Sequence, residues 1–174
     1  MDLLVLRLVH IGAGVFWAGS VYAFFLFVQP AAGDAAPSST PFVYELLHGR
    51  RFSQIILAAA ATTVIAGLWL LWRTSNGFDP GVLFGIGRLG YTVGGTAGIL
   101  TFALGGGYVF PRTMTVERTI GTILAESRPP TSDEQTLLAR TAKESRRAGW
   151  FVLAGLAIAV VSMATAQYWS LLVS

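Results

Sequence analysis

The sequence predicts an all-α protein: a four-helix transmembrane bundle, N-out and C-out, with a helical cytoplasmic loop between helices 3 and 4. Three observations carry this. First, four apolar stretches fill most of the 174 residues: Leu8–Val28 and Phe52–Trp72 of 21 residues each, Leu89–Pro111 of 23 and Ala148–Ser174 of 27. At about 1.5 Å rise per residue, ~20 residues cross the ~30 Å hydrocarbon layer of a bilayer. Backbone polar groups in lipid must be satisfied within their own segment, so each stretch has to be a helix. Second, 53% of the residues are hydrophobic and only 12% charged, about half the charged share of a soluble domain. Third, the cations are placed unevenly. The connections between helices 1 and 2 and between helices 3 and 4 hold Arg50, Arg51, Arg112, Arg118, Arg128, Arg140, Lys143, Arg146 and Arg147, against Arg7, Arg73 and Arg88 on the opposite side. Cytoplasmic loops collect Arg and Lys, which puts the long loop inside and both termini outside.

The elements follow in order. Helix 1 is predicted over 3–28 and ends at Gln29-Pro30. Its apolar run is longer than the ~7–15 residues of a signal-peptide core, so it reads as a retained span. Ala31 to Pro41 is an irregular Ala/Pro/Ser segment. Thr40-Pro41 then opens a short helix to His48 as N-cap and first-turn proline. Helix 2 is predicted over 52–73, a turn-rich connection follows through Asp79-Pro80-Gly81, and helix 3 covers 86–110. The polar loop 112–147 holds Val116, Ile120, Ile123 and Leu124 at helical spacing, which predicts an interfacial helix stopped by Pro129-Pro130. Ser132 with Gln135 resembles a capping box that restarts a helix leading into helix 4 at 148–171. Helices 1 and 3 are expected to approach closely through Gly12, Gly19, Gly94 and Gly98. The whole of 1–174 reads as one integral membrane domain, multi-pass, in a bacterial inner (plasma) membrane.

Composition narrows the chemistry. There are no cysteines, which removes disulfides, thiolate metal sites and iron–sulfur clusters. The net charge of +3 sits beside the membrane and calls for no nucleic acid. No Asp or Glu lies within a span, so a carboxylate relay is not expected. An ionisable residue inside a span is a functional candidate, and here that residue is His10; the alternative is a neutral imidazole hydrogen-bonded across the bundle to Thr or Tyr. Counted by helical rise, His10 shares a depth with Gly67, Gly94 and Met163. Such a layer could hold a flat cofactor with His10 on a haem iron, assisted by Met163. Arg7, Arg73 and Arg88 would form a basic rim suited to propionates. The competing account is packing: Gly90, Gly94 and Gly98 form a small-xxx-small stripe, and Met163 fills a gap. His48 lies at the opposite surface, too far away for both histidines to ligate one iron, and is expected to be interfacial and solvated.

Leu6 to Gly19, LRLVHIGAGVFWAG, resembles the first helix of the CopD and HemJ-like superfamily of small membrane proteins, with a histidine followed by Trp-x-Gly. Arg50-Arg51-Phe52 leading to Ile65–Leu71, IAGLWLL, resembles their second helix, and Ser162 to Trp169, SMATAQYW, the closing helix of CopD-like members. The resemblance covers all four helices, through short apolar motifs. It implies haem b on His10 and an oxidoreductase similar to protoporphyrinogen oxidase. Those members also use a lysine in the third helix; the nearest match here is Arg88, which cannot act as a neutral amine. CopD-type members imply copper uptake instead.

Three readings follow: a haem b-binding membrane protein in electron transfer or porphyrin/quinol oxidation, a copper-handling membrane transporter, and a structural or accessory subunit. Its partners are expected to be the lipid bilayer and either a second copy of the chain (a homo-oligomer) or a larger membrane complex.

Overall fold

A computed structural model of the chain describes residues 2–172; Val173 and Ser174, at the end of the fourth apolar stretch, lie outside it. The described residues form helices α1 (Asp2–Asp34), α2 (Thr40–Tyr44), α3 (Phe52–Thr74), α4 (Pro80–Leu83), α5 (Ile86–Ala125) and α6 (Ser132–Thr165), the last passing into a 3₁₀ segment, Ala166–Leu172. Four of them, α1, α3, α5 and α6, are long and apolar enough to cross a membrane. This is an integral membrane protein. Its exposed surface fits that setting: Leu4, Leu8, Val15, Phe27, Ile65, Leu100, Phe151 and Val161 all face outward, as lipid-facing side chains should.

Two of the spanning helices run past the predicted boundaries, and prolines explain where. Proline cannot donate to the carbonyl four residues back, and its ring collides with that carbonyl. In α1 the turn before Gln29-Pro30 is π-helical, Phe24–Val28; in α5 the turn before Phe110-Pro111 is π-helical, Gly105–Val109. A π turn inserts an extra residue and swings the obstructing carbonyl aside. Helix 1 therefore does not end at Val28, nor helix 3 at Phe110. At about 1.5 Å per residue the 40 residues of α5 extend ~60 Å, twice the hydrocarbon thickness.

The bundle is built from two close pairs, α1 on α3 and α5 on α6. The expected approach of helices 1 and 3 is not found. Gly12, Gly19 and Gly98 have nothing within 4 Å of where a Cβ would stand. Instead Gly90 and Gly94 of α5 face the last spanning helix: a Cβ on Gly90 would meet Ala166 Cα at 2.7 Å and the Ser162 carbonyl at 2.9 Å. About two turns farther along α5 the roles reverse, and Gly155 of α6 receives the Thr101 hydroxyl of α5. Small residues permit such contact where no hydrophobic force drives helices together. The pairs meet in a core of Trp17 and Val21 from α1, Ala60 from α3, and Val152, Leu153 and Leu156 from α6. Tyr22 ties them further by donating its hydroxyl to the Leu153 carbonyl at 2.8 Å.

Beyond the membrane-spanning part, α5 and the start of α6 form an antiparallel hairpin with a break at residues 126–131. Ile120 and Ile123 of the stripe expected at the bilayer surface are buried inside the protein, while Val116 is half-buried and Leu124 exposed. Arg112 crosses the hairpin to Glu144 at 3.0 Å, and Arg140 joins Glu144 from one turn away at 2.9 Å. The two guanidiniums hold the Glu144 carboxyl below the usual range.

The capping box that opens α6 is Thr131 with Glu134, one residue before the expected Ser132–Gln135 pair. Glu134 closes it by accepting from the Thr131 backbone N–H at 2.8 Å while taking a two-pronged bond from Arg128, 2.7 Å on each arm. These bonds, Arg128 first, pull the Glu134 carboxyl down to about 2. A folded value below the unfolded one means the group stabilises the fold above about pH 4.5 and ceases to do so as pH falls toward 2. Glu134→Gln should therefore fray the start of α6 at neutral pH and flatten the hairpin's acid sensitivity between those limits. Amide hydrogen exchange over residues 131–136 at pH 7 and pH 3 measures this; identical exchange in variant and wild type at both would count against it.

Candidate functional site

The histidine inside the first span lies against α3. His10 Nδ1 is 2.8 Å from the carbonyl oxygen of Thr63. A carbonyl can only accept, so Nδ1 carries the proton and donates, and in the neutral ring Nε2 is left with the free lone pair. The sequence reason for this contact is Gly67. A Cβ there would stand 2.7 Å from His10 Cε1 and 3.0 Å from Nδ1, so any larger residue would drive the ring off the carbonyl. Nε2 stands farther off, at 3.7 Å. Gly14, one turn on from His10, opens the same interface to Thr63, whose methyl would be 3.3 Å from a Cβ at that position. Thr63 is itself buried and gives its hydroxyl to the Ala59 carbonyl at 2.8 Å.

The hydrogen bond across the bundle to threonine that the alternative reading of His10 calls for is present, made to backbone rather than to hydroxyl. Side-chain pattern gives no sign of a backbone acceptor, which is why Thr63 escapes a sequence reading.

The second half of the predicted layer belongs to the other helix pair. Met163 Cγ lies 2.6 Å from where a Cβ of Gly94 would be, with the Ala159 carbonyl at 3.0 Å. The room beside each glycine is therefore taken by one neighbour, His10 at Gly67 and Met163 at Gly94. The arginines of the predicted rim share this end of the bundle by topology, at the start of α1, the end of α3 and the start of α5. Arg7 and Arg73 are exposed and Arg88 is half-buried. Among the described residues none of the three forms an ion pair with a carboxylate.

No protein-family model, curated protein or solved structure matches this chain. The residues themselves must carry the functional reading.

The polar-loop end of the bundle holds two hollows. One is an apolar cavity of about 90 Å³ lined by Trp17, Phe24, Phe25, Phe52, Phe102 and Val109, among others. Both π turns contribute to its wall, Phe24 and Phe25 from α1, Gly105, Gly106 and Val109 from α5. A widened helix cannot seat its side chains in a neighbour's grooves, which accounts for the gap. The other is a polar recess of about 340 Å³ bounded by His48, Arg51, Gln54 and Glu117. His48 follows α2 on a third π turn, Glu45–Gly49. Its ring stacks on Tyr44, centroids 5.0 Å apart, and its Nδ1 is 2.9 Å from Glu117 Oε1. Tyr44 can lie flat on α5 because position 121 is glycine; a Cβ there would be 3.0 Å from the ring. His48 is exposed, as an interfacial residue should be, but Glu117 is not: its side chain is 13% exposed.

Proposed function

We propose that the chain is a haem b-binding integral membrane protein of the CopD and HemJ-like type, acting in electron transfer or in oxidation of a porphyrin or quinol-like substrate. The observation that carries this reading is the Nδ1–H bond from His10 to the Thr63 carbonyl. Metal-ligating histidines commonly donate their second ring nitrogen in this way, which fixes the tautomer and raises the basicity of the nitrogen that binds. The residues present fit the group in that respect: His10 keeps Nε2 for an iron, and the Gly67 gap holds its ring still.

Met163, at the same end of the bundle, would assist His10 in holding the group, and Arg7, Arg73 and Arg88 would offset its propionates. Gly67 and Gly94 serve by letting the two ligand-bearing side chains settle against the neighbouring helix. A haem held there would supply one-electron chemistry. The chain's own contribution would be to orient the ligand through the Thr63 carbonyl and to offset the propionate charge.

Copper handling and a purely structural role in a larger complex or homo-oligomer remain the competing readings. A Soret band in protein purified in mild detergent separates haem binding from both, and haem-free protein from haem-replete cells would overturn the proposal.

We further infer, from nine cations against three, that the α5–α6 hairpin is cytoplasmic and both termini face out. The chain has no cysteine, so Ser132→Cys gives a single label site. In intact cells that site should resist a membrane-impermeant thiol reagent and react after lysis; ready labelling of intact cells would invert the topology.

A further inference from the structure

Two of the side chains that line the polar recess carry an acceptor with no donor. Glu117 uses Oε1 for His48, while its Oε2 is buried with no hydrogen-bond partner, and Gln54 Oε1 is in the same condition. Native proteins rarely leave such groups unmatched, so each calls for a donor. The carboxylate asks for a charged one.

The recess also offers the opposite chemistry. Arg51 lines it, and forms no ion pair among the described residues. Its backbone sits in the left-handed region, φ +50°, where a residue with a side chain is held only by surrounding structure. One place therefore has a donor-seeking carboxylate, a donor-seeking amide and a free guanidinium.

The position of the recess narrows the ligand. It lies where α3 begins, at Arg51-Phe52, and where α5 passes from its apolar part into its charged extension, so it is at headgroup depth. The apolar cavity is walled in part by the same two helices. Ser53 lines the cavity beside Gln54 of the recess, and Thr113 lines it one helical turn from Glu117. A ligand with a zwitterionic head and an apolar chain would fill both.

A metal ion fits poorly. No group of three His, Cys, Asp or Glu side chains capable of holding one occurs among the described residues, and Arg51 would repel a cation.

We propose that this recess binds the headgroup of an aminophospholipid of the phosphatidylethanolamine type. The primary ammonium donates to Glu117 Oε2 and Gln54 Oε1, the phosphate takes the Arg51 guanidinium, and an acyl chain runs into the cavity walled by Phe24, Phe52 and Val109. The chemistry requires N–H donors on the cationic end. Phosphatidylcholine has the same charges but no N–H to give, and phosphatidylglycerol has no cation for Glu117.

The test uses the full chain in detergent, offered equal amounts of phosphatidylethanolamine, phosphatidylcholine and phosphatidylglycerol of matched acyl chains, with retained lipid counted by native mass spectrometry. A hydrogen bond to a charged group is worth about a tenfold change or more in binding. Phosphatidylethanolamine should accordingly be retained about tenfold over each of the others. Glu117→Gln should bring it down to the phosphatidylcholine level, and Arg51→Gln should weaken phosphatidylethanolamine and phosphatidylcholine together. Equal retention of the three lipids by wild-type protein overturns the proposal whatever the variants do. Displacement of the lipid by millimolar soluble phosphoethanolamine would overturn the assignment to a lipid and make the ligand a soluble one.

Discussion

His10→Ala should abolish the Soret band of the purified protein while leaving the bundle assembled. The two effects separate because they rest on different energies. A ligand to iron cannot be replaced by alanine, so haem should be lost outright. The structural cost is one hydrogen bond between α1 and α3 and part of one interface. Such bonds average ~0.6 kcal/mol within membranes, and the rest of the α1–α3 contact is untouched. Gly67→Ala is the sharper probe. Its Cβ would fall 2.7 Å from His10 Cε1, so the ring must leave the Thr63 carbonyl although every ligand atom is still present. Haem should then be retained weakly or with a shifted spectrum. Haem-to-protein ratio, absorbance spectrum and thermal midpoint in detergent, measured together, check all of this. An unchanged spectrum in His10→Ala would reduce His10 to a packing residue.

The largest stability loss should come from Gly90. A methyl group there meets backbone, Ala166 Cα at 2.7 Å and the Ser162 oxygen at 2.9 Å, against an ordinary separation of about 3.5–4.0 Å. Backbone cannot rotate away as a side chain can, so α5 and the end of the last span must part by most of an ångström. Overpacking of this kind costs about 1–3 kcal/mol, and a bulkier residue such as leucine should cost more. Gly98 is the control, being on the same helix with open space at its Cβ position. There alanine should be neutral or mildly stabilising, since it outranks glycine in helices by about 0.8–1.0 kcal/mol. Unfolding in graded sodium dodecyl sulfate compares the pair. If Gly90→Ala is as stable as Gly98→Ala, the close contact of α5 with α6 is not what holds that side of the bundle.

Four spans, their approximate positions and the single intramembrane histidine were legible in the chain because each depends on a local property. An apolar run of sufficient length must be a helix in lipid, whatever its neighbours are. Helical rise is fixed as well, and a count along it puts His10, Gly67, Gly94 and Met163 in one layer; the contacts of His10 with Gly67 and of Met163 with Gly94 agree with it within each helix pair. Helix ends were less legible, since Pro30 and Pro111 looked like terminators and the π turns that absorb them leave no mark in the pattern of polar and apolar residues. Thr131-Ser132 offers two hydroxyls in succession, and Arg128 selects the Thr131 register of the capping box by bonding Glu134.

Only the tertiary structure decided which helix faces which. A glycine stripe states that something comes close, but carries no information about the partner. Gly90 and Gly94 could have faced helix 1 as readily as the helix they do face. The choice is made by the sum of many small contacts between surfaces far apart in sequence. The same holds for the polar recess: His48, Gln54 and Glu117 belong to three separate segments, and no spacing rule joins them. Sequence determined the membrane-spanning character and the approximate spans, because helical rise and lipid thickness are the same for every chain. Neighbourhood across the bundle belonged to the fold alone, because it arises from shape between helices and has no period along the chain.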